Sequence, residues 1–300
     1  MTQGALATTI FSRAEFFALH RRSLARSLVH AAANIALYAT LACVAATTSW
    51  ATLRVFAWIC MGILLCGCLN AAHDCAHQSF AASRRVNRVF GLAWCLPLLA
   101  SFTLFKKAHF VHHRYTRVPG DSESLHTIDS LREYLNRMFV RNPAGPLKRA
   151  IHTAFLRKTD EDDRDQKQSL RTEAVALCLW CILLATLTGY HPVILIETYW
   201  VPYLLAGPFI AAFALPEHHG LGASDDLLDC TRSVISGVLM RIMLWNGGFH
   251  AEHHLYPGMP SSNLPAVNRR LRSNRRNQIR SYAAFHWQLL TGLWRTSRTV

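Results

Sequence analysis

Residues 54–77 read RVFAWICMGILLCGCLNAAHDCAH, an apolar run of bilayer-crossing length that ends in two histidines four residues apart. A helix so apolar needs lipid or a large core around it. His73 and His77, at i and i+4, share one face at its end, which is bidentate geometry for a metal ion. Fold class and chemistry are therefore read from the same stretch.

Working outward, four stretches are long and apolar enough to span a bilayer: about 28–47, about 54–72, about 174–190 and about 193–215. They form two hairpins with short turns, ATTSWATL and TGYHP, where Trp50 and Tyr190 fall at the level of an aromatic belt. A fifth stretch, Val89 to Phe105, is shorter and holds Pro97, so it reads as an interfacial or re-entrant helix. The expected fold is all-α and integral to the membrane: four transmembrane helices plus that helix, with a helical cytoplasmic cap over about 73–173 and 216–300. The whole of 1–300 reads as one domain.

The composition, 51% hydrophobic and 17% charged, is apolar for a chain of 300 residues, with the apolar residues gathered into these segments. The formal charge of +14 alone suits nucleic acid, anionic lipid or an acidic protein. Position decides: all 32 Lys and Arg except Arg54 lie before the first span, between the hairpins or after the last, which puts both termini in the cytoplasm. No nucleic-acid motif is present and none is needed to explain the charge. The run KTDEDDRDQK at 158–167 reads as a solvated loop, and NRRLRSNRRNQIR at 268–280 as an anionic-lipid contact ahead of a redox-partner dock.

Nine cysteines, mostly inside apolar runs, read as small buried hydrophobes; the Cys178/Cys181 pair lies mid-span without a second pair. The N-terminus lacks the order of a signal peptide, so nothing need be cleaved.

Sixteen histidines are the chief signal, and nine of them fall in four clusters. His73 and His77 form HDCAH; His109, His112 and His113 form HFVHH; His250, His253 and His254 form HAEHH; His218 stands in LPEHHG beside His219. On a helix, i, i+3 and i+4 lie together, so each longer box offers three imidazoles. The topology brings all four clusters to one membrane face. Nine neutral imidazoles suit borderline metals, and they exceed what one ion uses, so two ions follow. His20, His30, His126, His152, His191 and His286 read as ordinary structural histidines.

With one HxxxH and two HxxHH boxes around two hairpins, the chain resembles the membrane fatty acid desaturase and hydroxylase superfamily over about residues 28–260. It is most similar to a bacterial branch whose last box reads NxxxHxxHHxYP, matched by Asn246, His250, His253, His254, Tyr256 and Pro257. An EHxG element and a TR pair match Glu217, His218, Gly220, Thr231 and Arg232. The resemblance implies a non-haem di-iron centre held by the boxes and His218, with dioxygen as co-substrate, where ligand type alone leaves zinc open. His219 departs from the pattern and leaves the choice between His218 and His219 to be made. A bacterial inner-membrane location follows.

Asp74, Asp121, Glu217 and Glu252 are candidates to orient imidazoles through their second nitrogens, Asp74 and Glu217 foremost. Asn246 either holds a metal-bound water or caps the helix of the last box. No catalytic residue beyond the metal centre is expected. The substrate is expected to be an acyl chain or lipid between the hairpins, its head near Lys106, Lys107 and Arg114. Desaturation and hydroxylation stay open.

No GxGxxG, ferredoxin cysteine array or HPGG haem signature is present, so electrons come from a separate donor of ferredoxin or rubredoxin type. Two rivals use the same residues. An intramembrane zinc protease would read HDCAH as HExxH with Asp for the general base, leaving six box histidines idle. A metal transporter would place its ligands at mid-membrane rather than at span ends.

Overall fold

The structure, a computed structural model, describes residues 10–123, 127–140, 164–271 and 277–296. His126, His152, the charge run over 158–163, the middle of the basic stretch at 272–276 and residues 1–9 lie outside them.

A short capped helix, α1 (Arg13–Leu19), leads into α2 (Leu24–Thr47) and α3 (Ala51–Ala76), the first hairpin. The second is α7 (Arg164–Tyr190) and α8 (Pro192–His218), separated by His191 alone. These four helices are long and apolar enough to cross a membrane, and each exceeds its expected span because the polar residues that end a hydropathy window do not end the helix. Helix α8 contains a π turn at Ile196–Trp200.

Outward faces are apolar: Val29, Ile35, Leu179, Ile182 and Leu204 all stand exposed, as they do where lipid is the solvent. Helix α3 is the axle, packed between α2 and α8, and it buries small residues such as Ala57, Gly62, Cys66, Gly67, Ala71 and Ala72 that let neighbours approach closely. Cys66, Cys75, Cys95 and Cys230 are buried, but Cys43 and Cys178 face outward, so not all nine cysteines are core residues.

The fifth apolar stretch is two helices, α4 (Arg84–Cys95) and α5 (Phe102–Tyr115), crossing at 100°. Pro97 does not itself break the chain. It sits in a 3₁₀ turn, Leu96–Leu98, and the bend falls at Leu99, which is left-handed at φ +52°. HFVHH consequently lies inside α5. Helix α5 is pinned at its start by Glu173 of α7, whose buried carboxylate accepts from Ser101 Oγ at 2.5 Å, Thr103 Oγ1 at 2.6 Å and Thr103 N at 3.1 Å. Removing it orphans these donors, so Glu173→Ala should cost ~1.5–3 kcal/mol. A thermal melt in detergent checks this, with Glu173→Gln expected to fall between wild type and alanine.

The cap follows: α6 (Leu131–Phe139), α9 (Leu227–Cys230), α10 (Val238–Met243), α11 (His250–Leu255), α12 (Leu264–Arg270) and α13 (Tyr282–Thr296). Among the described residues it has one strand pair, parallel, Ser233 with Gln278 and Val234 with Ile279. Two glycines let the segment before α11 lie directly on α3. A Cβ at Gly67 would stand 2.0 Å from the Met243 carbonyl, and one at Gly247 would stand 2.5 Å from Asn70 Nδ2. Since Met243 O is backbone, Gly67→Ala should force α3 and α10 apart and lower stability by at least ~1–3 kcal/mol. The same melt reads it; an unchanged midpoint would contradict this packing.

Candidate metal centre

Each histidine cluster is delivered by a helix end. His73 lies in the last turn of α3 and His77 is its C-cap; α5 carries His109, His112 and His113; α8 ends at His218; α11 begins at His250. The nine imidazoles gather into two groups, His73, His77, His109, His113 and His253 in one and His112, His218, His250 and His254 in the other. Within each, the ligand atoms all lie within 4.8 Å of one another. The groups adjoin, with the His113 and His254 rings stacked at 4.4 Å between centroids.

The division runs through the boxes. In HFVHH the i, i+4 pair His109 and His113 joins the first group while His112 turns to the second; in HAEHH the pair His250 and His254 joins the second while His253 turns to the first. Adjacent helical residues diverge by about 100°, so a box whose last two positions are both histidine serves two sites. One face per box, as spacing alone implies, is too simple.

In the five-histidine group Nε2 atoms face Nε2 atoms: His77 and His109 at 2.7 Å, His109 and His113 at 2.9 Å, His113 and His253 at 2.9 Å, His253 and His73 at 3.0 Å. In the four-histidine group the tautomers of His218 and His112 are fixed by their partners. His218 Nδ1 lies 2.8 Å from the Cys230 carbonyl, which only accepts, so Nδ1 carries the hydrogen and Nε2 a lone pair. His112 Nδ1 donates to Asp121 Oδ1 at 2.9 Å, and His250 Nδ1 faces Glu217 Oε1 at 3.4 Å. The His218 Nε2 lone pair is thus turned to His250 Nε2 at 2.8 Å, a spacing at which both nitrogens can ligate one cation. The donor set therefore fits a metal ion. Burial, reinforced by neighbouring imidazoles, pushes His250, His253 and His254 well below the usual histidine range, so these rings are neutral and available as ligands.

Of the orienting carboxylates expected, Glu217 faces His250 and Asp121 holds His112. Asp74 does neither: its carboxylate accepts from Ser261 Oγ at 2.6 Å and ties the loop before α12 to α3. Glu252 likewise accepts from Ser233 Oγ at 2.5 Å and from Asn268 Nδ2, bracing α11 from behind. Asn246 does not cap α11, whose N-cap is Phe249; it takes a left-handed turn at φ +54°, and its carbonyl accepts from Phe249 N at 3.0 Å. His254 Nδ1 is buried without a hydrogen-bond partner. His219 points away, its Nε2 accepting from Ile128 N at 3.0 Å, while His218 joins the second group.

A cavity of about 140 Å³ opens onto both groups. Cys66, Leu69, Asn70 and His73 line it from α3, and Ile210, Phe213, Ala214 and Glu217 from α8. Both sets follow i, i+3, i+4, i+7, one face of each helix. Phe105, Trp245 and Tyr282 add aromatic walls, while Asp74, Glu123 and Ser261 join the histidines on its polar side.

Residues 48–286 match the family model described as fatty acid desaturase. The chain is 24% identical to the chloroplastic omega-6 fatty acid desaturase of Spinacia oleracea over 244 residues, 73% of this chain and 53% of that one, so it spans about half that relative's length. It is 22% identical to the sn-1 oleoyl-lipid 12-desaturase of Anabaena variabilis over 82% of this chain and 76% of that one. To the sphingolipid delta(4)-desaturase of Drosophila melanogaster it is 28% identical, over 74% and 67% respectively. With the family match reaching from the first hairpin to α13, this all-α membrane chain belongs to the fatty acid desaturase family.

Proposed function

We propose that the protein is a dioxygen-dependent membrane oxidoreductase that desaturates a fatty acyl chain or lipid, with the two histidine groups holding a non-haem di-iron centre. The observation that carries this is the convergence of nine imidazoles into two adjoining groups beside a cavity walled by one face each of α3 and α8. The relatives named above are a fatty acid desaturase, an oleoyl-lipid desaturase and a sphingolipid desaturase, which supports desaturation over hydroxylation. When bound, a di-iron centre supplies the reduction of dioxygen by two external electrons that lets an unactivated C–H bond be oxidised.

The chain's own part is binding, orientation and dryness. The faces of α3 and α8 grip a methylene chain and keep water out, and this fixes which carbons lie beside the histidines. Asp121 and the Cys230 carbonyl hold the imidazoles of His112 and His218 with Nε2 free, and Glu217 faces His250. Lys106, Lys107 and Arg114 on α5 lie at the end where a polar head would remain, and the basic cytoplasmic face would receive an acidic ferredoxin or rubredoxin. Both termini are assigned to the cytoplasmic side of a bacterial inner membrane. A zinc protease reading is disfavoured because Asp74, which would have to serve as its base, is engaged by Ser261.

The test is expression with a ferredoxin and its reductase, followed by mass spectrometry of extracted acyl methyl esters. A new double bond in wild type, absent in His113→Ala, is the expected result; a hydroxylated product would move the reading to a hydroxylase, and no oxidised lipid from iron-loaded protein would overturn it. His218→Ala should lose product at least ~10–100-fold, the range that even outer partners of a metal ligand command, whereas His219→Ala should stay within a few-fold of wild type.

A further inference from the structure

Helix α8 reaches the metal centre across a backbone defect. Pro216 lies inside it, two residues before His218, and lacks the N–H that would close the helical bond to the Ala212 carbonyl. That carbonyl is nonetheless satisfied: His286 of α13 lies with Nε2 2.8 Å from Ala212 O. A carbonyl only accepts, so His286 Nε2 carries the hydrogen, and Nδ1 is left to accept from the Tyr134 hydroxyl of α6 at 3.1 Å. One imidazole thus links α13, α8 and α6 at the place where α8 has lost a bond of its own. Around it, Phe285 packs with Leu215, Met138 and Ile128 in a single apolar cluster.

Three further carbonyls at this end of α8, those of Pro216, Glu217 and the C-cap His219, are also held from outside. Arg232 Nη1 donates to Pro216 O at 2.5 Å and to His219 O at 3.0 Å, and Arg232 N donates to Glu217 O at 2.8 Å. Ala212 is the member of the set that a proline orphaned, and His286 is the side chain that reaches it.

We propose that His286 is a positioning residue: it substitutes for the backbone bond that Pro216 removes and so fixes the direction in which α8 presents His218 to the four-histidine group. The inference rests on the proposed metal-binding role of that group. Read from sequence, His286 is an ordinary structural histidine; the structure gives it a particular carbonyl and a particular reason. If that reason is right, restoring an N–H at position 216 makes His286 dispensable.

The experiment compares the full-length wild type with His286→Ala, His286→Gln, Pro216→Ala and the double variant Pro216→Ala/His286→Ala. Each is purified in detergent, equilibrated against a ferrous buffer and assayed for iron per chain. His286→Ala is expected to weaken the four-histidine group by about 10–100-fold, taking iron from about two per chain to about one. His286→Gln, which keeps an N–H donor, should retain most of it, and the double variant should match Pro216→Ala near the wild-type value. Full occupancy in His286→Ala would overturn the proposal. So would loss that the double variant fails to restore, or emptying by Pro216→Ala alone, since either makes the missing bond irrelevant. Wild-type protein that binds no metal would instead refute the metal-centre reading and not this link specifically.

Discussion

Replacing His253 by alanine should abolish oxidation of lipid, with product falling more than ~100-fold, beyond the range seen when only an outer partner of a ligand is removed. His253 is the link between the first and third boxes: its Nε2 lies 3.0 Å from that of His73 and 2.9 Å from that of His113, and the side chain is buried. Removing it takes the α11 contribution out of the five-histidine group and leaves the other four lone pairs around an enlarged, wettable gap. No nearby side chain can step in, because His254 is committed to the second group. The effect should appear in metal content as well as turnover. Fold stability should fall far less, since Glu252, two bonds to Ser233 and Asn268 included, still braces α11. A variant that keeps wild-type turnover would show that this imidazole is not a ligand.

Asp121→Asn carries the second large effect, from a residue nine positions after the histidine it serves. Both carboxylate oxygens are already acceptors: Oδ1 receives His112 Nδ1–H and Glu123 N–H at 2.9 Å each, and Oδ2 receives Arg117 N–H at 2.8 Å. An amide placed either way puts its NH₂ against a donor. One orientation turns His112 toward the wrong tautomer; the other releases Arg117, which holds a left-handed φ of +62°. Either weakens the four-histidine group, by ~10–100-fold in metal affinity on the scale of such outer partners. Competitive metal titration of wild type and variant reads this directly. Equal affinities would mean that His112 does not need its Nδ1 held.

The spans and the nine histidines were legible because each rests on a strong local rule: a long apolar run has few alternatives to a membrane helix, and imidazoles at i and i+4 must share a face. The partition into two groups was not, although it follows from the same geometry, because which ring of each HxxHH box turns which way depends on how α5 and α11 are rotated about their own axes. Packing sets that rotation. Asp121 was among the acids read as able to orient an imidazole, but Glu173 escaped for a related reason. It acts on Ser101 and Thr103 across some 70 residues of sequence, and an acid beside an apolar run looks like an ordinary helix end. Glu173 had one visible mark, a lone carboxylate at the start of a span. Asp74 misled in the opposite direction: it sits inside HDCAH, yet its place on α3 points it to Ser261.

Iron and zinc per chain, measured by plasma mass spectrometry on detergent-purified wild-type protein beside His113→Ala and His253→Ala, test the central claim most directly. Two adjoining imidazole groups predict about two irons in wild type, reduced in both variants. One zinc held through His73 and His77 alone, unchanged by either substitution, would contradict it.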